Sequence, residues 1–439
     1  MVKTVNQNIK PITTKRNKKG NLEISGCDLV DLAKEYGTPL YVMDKTSLLK
    51  MASEYKDAFS SYKKVNMMFA SKALMTSAIA KILHDAGFGF DVVSGGELYT
   101  IHNAGVDLNY ATFNGSNKTY DEIEMALRLD IGRVSVDNFY EIKLLNEVCE
   151  KLNKKQKVLL RITPGIECHT HEYIQTGHLD SKFGFDLTQI DEAITKILNE
   201  CKNLEITGLH AHIGSQIFET KVYYDEIEVL IKEIKRINDK FNLNLFEMNI
   251  GGGLGITYTE ADCPPSVYEI ANVILTSIKE NCAKYDVDEP VLYIEPGRSI
   301  VGTSGVTLYT VGSYKNVPSF NKKYIAVNGG MADNPRPSMY GAIYVAEIAN
   351  NKENEPLEKV TVAGRFCESG DILIKDIELP SPKTGDILCV YNTGAYGYSM
   401  SSNYNNVLKP AMVLVNNSQS DIIIKRQTYE QLTQNDVIV

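Results

Sequence analysis

Met67-Met-Phe-Ala-Ser-Lys72-Ala73 is an apolar run that ends in a single amine. Its length suits a buried strand. A strand that delivers one lysine out of apolar surroundings sets up amine chemistry, because desolvation disfavours the ammonium form and frees the nucleophilic lone pair. A lysine closing a strand is more often a solvated end. The weight of Lys72 as a Schiff-base residue therefore rests on the rest of the chain.

Outward from that run the pattern repeats. Strand-like stretches at 67–73, 88–94, 111–115, 133–138, 158–163, 206–214, 246–251 and 291–295 alternate with amphipathic ones, among them 77–87, 121–129, 139–152, 222–241 and 267–285. In the last two, apolar residues recur three and four apart with charges opposite, as in helices packed on one side. Eight strands interleaved with helices predict a parallel α/β barrel of the TIM type rather than an open sheet. Beyond Ser299 the runs stay strand-like without helices between them, at 306–309, 324–327, 343–348, 360–363, 387–391, 411–415 and 422–426. They predict a second, mostly antiparallel β-sandwich or β-barrel domain. The expected division is a barrel over 41–305 and a β domain made of 1–40 and 306–439.

The net charge of -9 argues against nucleic acid as a partner, since no basic field would neutralise phosphates. No apolar run has the length of a membrane span. The one basic cluster, Lys3, Lys10, Lys15, Arg16, Lys18 and Lys19, lacks the apolar core of a secretion signal and is expected to be a solvated, mobile arm. Eight scattered cysteines without a Cys-x-x-Cys pair imply reduced thiols and a cytoplasmic location.

In a barrel of this type chemistry sits at the C-terminal strand ends. The first strand brings Lys72 there, the second Asp91 and Ser94-Gly-Gly-Glu97, and the fifth Arg161. The sixth brings His210, His212 and Ser215, the seventh Asn249 and Gly251-Gly252-Gly253, and the eighth Glu295-Pro-Gly297-Arg298. A glycine run allows backbone N–H groups to close on an anion, and Arg298 with Ser215 at neighbouring ends favours phosphate. The two histidines alternate along a strand, so at most one is expected to face the barrel mouth, and a shared metal is not expected. A histidine there can lie flat against an aromatic ring. Glu295 can keep a ring nitrogen protonated, the competing reading being an ion pair with Arg298. A second cluster is Cys367-Glu-Ser-Gly-Asp371 with Gly394-Ala-Tyr396. Its cysteine, flanked by carboxylates, suits a protonated acid better than a thiolate.

These motifs, in this order, together with His171-Glu-Tyr-Ile-Gln-Thr-Gly177, Ser181-Lys-Phe-Gly184 and Leu209-His-Ala-His-Ile-Gly-Ser-Gln216, resemble the fold-type III family of pyridoxal phosphate enzymes over about residues 35–410. The resemblance implies an alanine-racemase-type barrel with pyridoxal 5'-phosphate as cofactor, and decarboxylation of meso-2,6-diaminopimelate to L-lysine. It implies that Lys72 carries the cofactor, His212 stacks on its ring and Glu295 holds its nitrogen protonated. Asp91, Ser215, Gly251, Gly252, Gly253, Gly297, Arg298 and Tyr396 complete the cofactor site. Arg298, Arg336, Tyr340 and Tyr396 would grip substrate, with Glu368 near the distal amine. Cys367 would be the proton donor, supplied across the interface of a homodimer with shared active sites, and 171–184 a mobile loop over the site. A decarboxylase of another basic amino acid, of the ornithine or arginine type, and a non-catalytic regulatory relative are the alternatives. The second of these would be expected to have lost Lys72 or Cys367.

Overall fold

The computed structural model describes residues 3–166, 182–352 and 354–439. The chain divides into two compact units, one of residues 52–255 and 264–297, the other of 1–51, 256–263 and 298–439.

The first unit is a closed barrel of eight parallel strands: β1 (Val65–Ala70), β2 (Gly89–Val92), β3 (Ala111–Phe113), β4 (Arg133–Val136), β5 (Gln156–Thr163), β6 (Leu204–His210), β7 (Glu247–Asn249) and β8 (Val291–Ile294). Each pairs with the next, and β8 pairs in turn with β1, Leu292 opposite Val65 and Ile294 opposite Met67. The strands read as near-continuous apolar runs because helices cover their outer faces. In β5, for example, Lys157 is the one exposed residue.

The βα turns are set by short polar residues just beyond the strand ends. Ser94 caps Gly95–Asn103 by accepting from the Glu97 N–H, and Asn138 caps Phe139–Leu152 by accepting from that of Glu141. Such caps satisfy orphan donors at the helix start and hold each turn tight. The long helices Lys221–Phe241 and Val267–Tyr285 each bury one stripe, Ile227, Leu230, Ile231 and Ile234 in the first and Ile270, Ile274 and Ile278 in the second.

The second unit is a mostly antiparallel sheet. Its hydrogen-bonded order is Ile372–Pro380, Leu357–Ala363, Lys322–Val327, Gly305–Val317, Leu40–Asp44, Ala411–Asn416 and Gln419–Ile424. Ile387–Val390 pairs with both Gly305–Val317 and Ala346–Ile348. Because side chains alternate along a strand, Gly305–Val317 feeds two cores. Val306 and Leu308 pack with Leu40, Val42 and Val413 on one side, while Tyr309 and Val311 pack with Ile325, Val362 and Leu388 on the other.

Three expectations change. Leu40–Asp44 lies in this sheet and not in the barrel unit, because its backbone pairs with Gly305–Leu308 on one edge and Ala411–Val415 on the other. The expected boundaries at 41 and 305 accordingly differ from the observed division at 51 and 297, and 256–263 also belongs to the sheet unit. The basic N-terminal stretch is packed: Val5 and Asn6 are buried, Lys15–Arg16 pairs with Leu22–Ile24, and Lys10 and Arg16 both meet Glu347. Finally, Ile372–Pro380 is a strand that the pattern did not announce.

Candidate active site

At the barrel mouth, Lys72 sits on the short turn Ser71–Ala73 directly after β1. Ser71 and Ala73 are fully buried but Lys72 is exposed, so the expected desolvation of the amine is not seen. What faces it is negative charge. Its ammonium is among the influences that lower the carboxyls of Asp91, Glu97 and Glu295, in each of which burial is the larger effect and pushes upward. The turn after β8 lies against this segment: the Ala70 N–H donates to the Pro296 carbonyl at 3.1 Å, and a Cβ on Gly297 would stand 2.9 Å from that of Ala70.

Glu295 is 7% exposed and held by amides. Asn249 Nδ2 donates to its Oε1 at 2.6 Å and Asn114 Nδ2 at 3.1 Å, while the same Asn114 nitrogen lies 2.5 Å from Asp91 Oδ1. Burial, with Asp91 beside it, raises the Glu295 carboxyl well above its ordinary range. Lys72 and the two amides counter that rise only in part, and a protonated ring nitrogen would add the positive charge that favours the ionised form.

Both histidines belong to this mouth, against the expectation that only one would. Strand β6 ends at His210, so the alternation does not carry on to His212. His210 Nδ1 meets Ser135 Oγ at 2.7 Å and its Nε2 lies 3.6 Å from Glu295 Oε2. His212 lies on the glycine turn, where the Gly252 N–H donates to Nδ1 at 3.3 Å. A Cβ on Gly251 would fall 2.5 Å from that nitrogen. Burial, aided by Lys72 and Arg161, keeps both imidazoles far below their usual pKa and therefore neutral.

The two phosphate-type loops are zipped together. The Ile217 N–H donates to the Gly253 carbonyl at 2.9 Å and the Gly255 N–H to the Ile217 carbonyl at 3.2 Å. Gly251 and Gly253 have φ of 62° and 111°, and a Cβ on Gly253 would stand 2.8 Å from the Gly214 carbonyl. Only glycine satisfies both constraints at Gly253, and the turn is hydrogen-bonded to Ile217, two residues beyond Ser215.

The sheet unit carries its own cluster. Arg298 and Arg336, both buried, converge on one phenol: Arg298 Nη1 donates to Tyr258 Oη at 2.7 Å and Arg336 Nη1 at 2.9 Å. Arg336 also donates to Tyr344 Oη at 2.7 Å. Arg298 lies over the Tyr396 ring, 4.8 Å from its centroid. Tyr396 holds a φ of 58°, a strained value for an aromatic residue. Tyr340 closes the short helix Arg336–Tyr340, but the hydrogen bonds of the arginine go to Tyr258 and Tyr344. Neither of those tyrosines was singled out by pattern, although Tyr258 stands three residues beyond the glycine run.

Cys367, Glu368 and Ser369 are exposed on a loop pinned by Asp371, whose carboxylate accepts from the Met331 and Phe366 N–H groups at 2.7 and 2.8 Å. Glu368 accepts a hydrogen bond from Tyr404. Of the expected covering segment 171–184, residues through 181 lie outside the described residues.

A family model described as pyridoxal-dependent decarboxylase, pyridoxal binding domain, matches residues 46–302. The chain belongs to the pyridoxal-dependent decarboxylase family. Among curated relatives of this decarboxylase, the diaminopimelate decarboxylase of Bacillus subtilis is 46% identical over 428 residues, 97% of each chain. That of Synechocystis is 45% identical and covers 99% of this chain and 94% of its own. A solved diaminopimelate decarboxylase from M. jannaschii in co-complex with L-lysine matches with a TM-score of 0.91 at 34% identity, covering 98% of both chains. The Helicobacter pylori enzyme complexed with L-lysine matches at 0.85 with 30% identity, covering 92% of this chain and 98% of its own.

The residues present fit the cofactor that the family uses. Pyridoxal phosphate needs an amine, an acid for its ring nitrogen, a flat surface for its ring and a cradle for its phosphate. Lys72, the buried Glu295, the neutral imidazole of His212 and the Gly251–Gly253 turn match those four needs in chemistry.

Proposed function

We propose that this decarboxylase converts meso-diaminopimelate to L-lysine and CO2, the closing step of lysine biosynthesis, with the residue roles as follows. The observation that carries the substrate reading is the convergence of Arg298 and Arg336 within hydrogen-bond reach of one oxygen. Two forked cations brought that close suit a substrate with a second carboxylate, which ornithine and arginine lack.

Lys72 would hold the cofactor through its side-chain amine, and the same amine would be the group that exchanges with the product amine. His212 supports the ring face, and Glu295 holds a proton on the ring nitrogen, kept in place by Asn249 and Asn114. Asp91 adds negative charge beside it. Ser215, Gly251, Gly252, Gly253, Gly297 and Arg298 receive the phosphate, and Tyr396 contributes to the same end. When bound, pyridoxal phosphate supplies the electron sink for the pair left on carbon as CO2 departs. Arg298, Arg336 and Tyr340 orient the remaining carboxylate, Glu368 meets the distal amine, and the Cys367 thiol gives its proton to the substrate carbon.

An exposed loop carrying Cys367 and Glu368 supports a homodimer in which each subunit completes the other's site. Every cysteine among the described residues is free, which accords with the cytoplasm as its compartment.

The test is the absorbance spectrum of the purified protein before and after meso-diaminopimelate, with CO2 release followed in parallel and Lys72→Ala as control. A yellow protein that shifts on substrate and releases CO2, with an inert mutant, is the expected result. A yellow protein that leaves diaminopimelate untouched would move the substrate to another amino acid. Arg336→Ala separates the same two readings, since it should impair turnover of a dicarboxylate far more than of ornithine or arginine.

A further inference from the structure

Tyr258 has no assigned part in the chemistry above, yet it is the atom-level link between the two arginines. The 256–263 stretch that carries it belongs to the sheet unit, although the barrel unit claims the chain on both sides of it. Its backbone is fixed by four hydrogen bonds to three residues, Asn6, Asn392 and Asp262. The Thr257 N–H donates to the Asn6 carbonyl at 3.0 Å, and Asn392 Nδ2 donates to the Thr257 carbonyl at 2.9 Å. The N–H groups of Tyr258 and Thr259 both donate to Asp262 Oδ2, at 2.9 and 2.8 Å. The ring packs edge-on against Tyr344, with centroids 5.4 Å apart, and Arg336 lies over it at 5.0 Å. The phenol is thus a rigid post.

Both lone pairs of its oxygen are taken by guanidinium N–H groups, one from each arginine. Like-charged guanidiniums repel, and a shared acceptor offsets that repulsion while it fixes their separation. Burial alone would raise the Tyr258 phenol, but Arg298 and Arg336 more than counter it and hold it below its ordinary value, the behaviour of an oxygen carrying partial negative charge between cations. Among the described residues both hydrogen bonds of Arg336 leave from Nη1. Its Nε and Nη2 edge therefore stays available for the paired contact that a carboxylate prefers.

We propose that Tyr258 is a specificity-determining positioning residue: by bridging Arg298 and Arg336 it sets their spacing for one carboxylate, and so the preference for ligands that carry it. This rests on the reading that those arginines seat the substrate carboxylate that is not lost.

The probes are L-lysine, which keeps that carboxylate, and 1,5-diaminopentane, the same chain without it. In Tyr258→Phe, measured on the cofactor-loaded enzyme, KM for meso-diaminopimelate and the inhibition constant of L-lysine should both rise roughly tenfold, the weight of one hydrogen bond to a charged group. The maximal rate should stay within about twofold and the inhibition constant of 1,5-diaminopentane should not move. Tyr344→Phe removes one hydrogen bond from Arg336 but leaves the bridge intact, and should raise KM for meso-diaminopimelate and the inhibition constant of L-lysine less than Tyr258→Phe does. Unchanged constants in Tyr258→Phe, or an equal rise for L-lysine and 1,5-diaminopentane, would overturn the proposal. So would failure of both Tyr258→Phe and Tyr258→His to fold and bind cofactor, which would assign the residue to the core. Wild-type enzyme that ignores diaminopimelate, or binds L-lysine no better than 1,5-diaminopentane, would instead refute the reading on which the proposal stands.

Discussion

The side chain of Asn249 ties Glu295 to the glycine turn: its Nδ2 donates to Glu295 Oε1 at 2.6 Å while its Oδ1 accepts from the Gly251 N–H at 2.9 Å. One amide thus aligns the acid proposed for the ring nitrogen with the turn proposed for the phosphate. Asn249→Ala should weaken pyridoxal phosphate binding by ~10–100-fold, the usual loss for a hydrogen bond to a charged group. Asn249→Asp should weaken it further, because a third carboxylate beside Asp91 would drive Glu295 towards its neutral form. Titration of the apoprotein with pyridoxal phosphate, followed by absorbance, measures both.

At the opposite strand ends Arg133, the first residue of β4, reaches Glu247, the first of β7. Its Nε lies 2.9 Å from both carboxylate oxygens, and Thr207 and Tyr293 also donate to that carboxylate, at 2.6 and 3.0 Å. Arg133→Leu should cost ~3–5 kcal/mol of stability by leaving a buried charge unpaired. Burial raises the Glu247 carboxyl, but Arg133 and the hydroxyls outweigh it and hold the pKa below the ordinary value. Its contribution is therefore present above the unfolded pKa of ~4.3 and lost as pH falls through the lower folded one. Urea unfolding of both proteins at neutral and acid pH should show their difference shrinking in acid.

Glu226, on Lys221–Phe241, is fully buried, and among the described residues neither carboxyl oxygen has a hydrogen-bond partner. Burial pushes it well above the usual carboxylate range. Here the sign is reversed: stability is greatest below ~4.3 and falls as pH rises towards the folded pKa. Glu226→Leu should add ~1–3 kcal/mol near neutral pH and flatten that dependence. Thermal melts across the pH range provide the check, and a destabilised Leu variant would count against it.

The proposed sharing of sites yields a mixing experiment. Cys367→Ala should lower kcat by ~10²–10⁴-fold, the range of a lost general acid, while leaving the cofactor spectrum in place. Unfolded and refolded together with Lys72→Ala, it should recover about a quarter of wild-type activity, because half the dimers pair one mutant of each kind and each such dimer has one intact site. No recovery would place Cys367 in its own subunit's site.

The barrel was legible because its strands are buried on both faces and separated by helices of clear period. The second sheet was legible except at Ile372–Pro380. That strand lies at the end of the sheet order and carries Lys375, Asp376, Glu378 and Pro380, so its composition reads as loop. The motif residues Lys72, Glu295 and Arg298 could be picked out because they stand at strand ends. Asn114 and Tyr258 could not, because one falls inside the expected strand 111–115, which in the structure ends at Phe113, and the other reads as a single aromatic beyond a glycine run. Their importance comes from what converges on them in three dimensions. Lys72 stands among buried neighbours, as its sequence setting suggests, while its own side chain is exposed.

Leu40–Asp44 pairs with Gly305–Leu308 and with Ala411–Val415. On the ribosome this early strand emerges long before either neighbour exists. At ~5–20 residues per second it waits roughly 20–70 seconds for the later one. All the barrel strands are made within that interval. The sheet unit therefore cannot complete its pairing until after the barrel strands are made, and until then Leu40-Tyr-Val-Met43 is an unpaired apolar edge on the nascent chain, the kind of segment that aggregates.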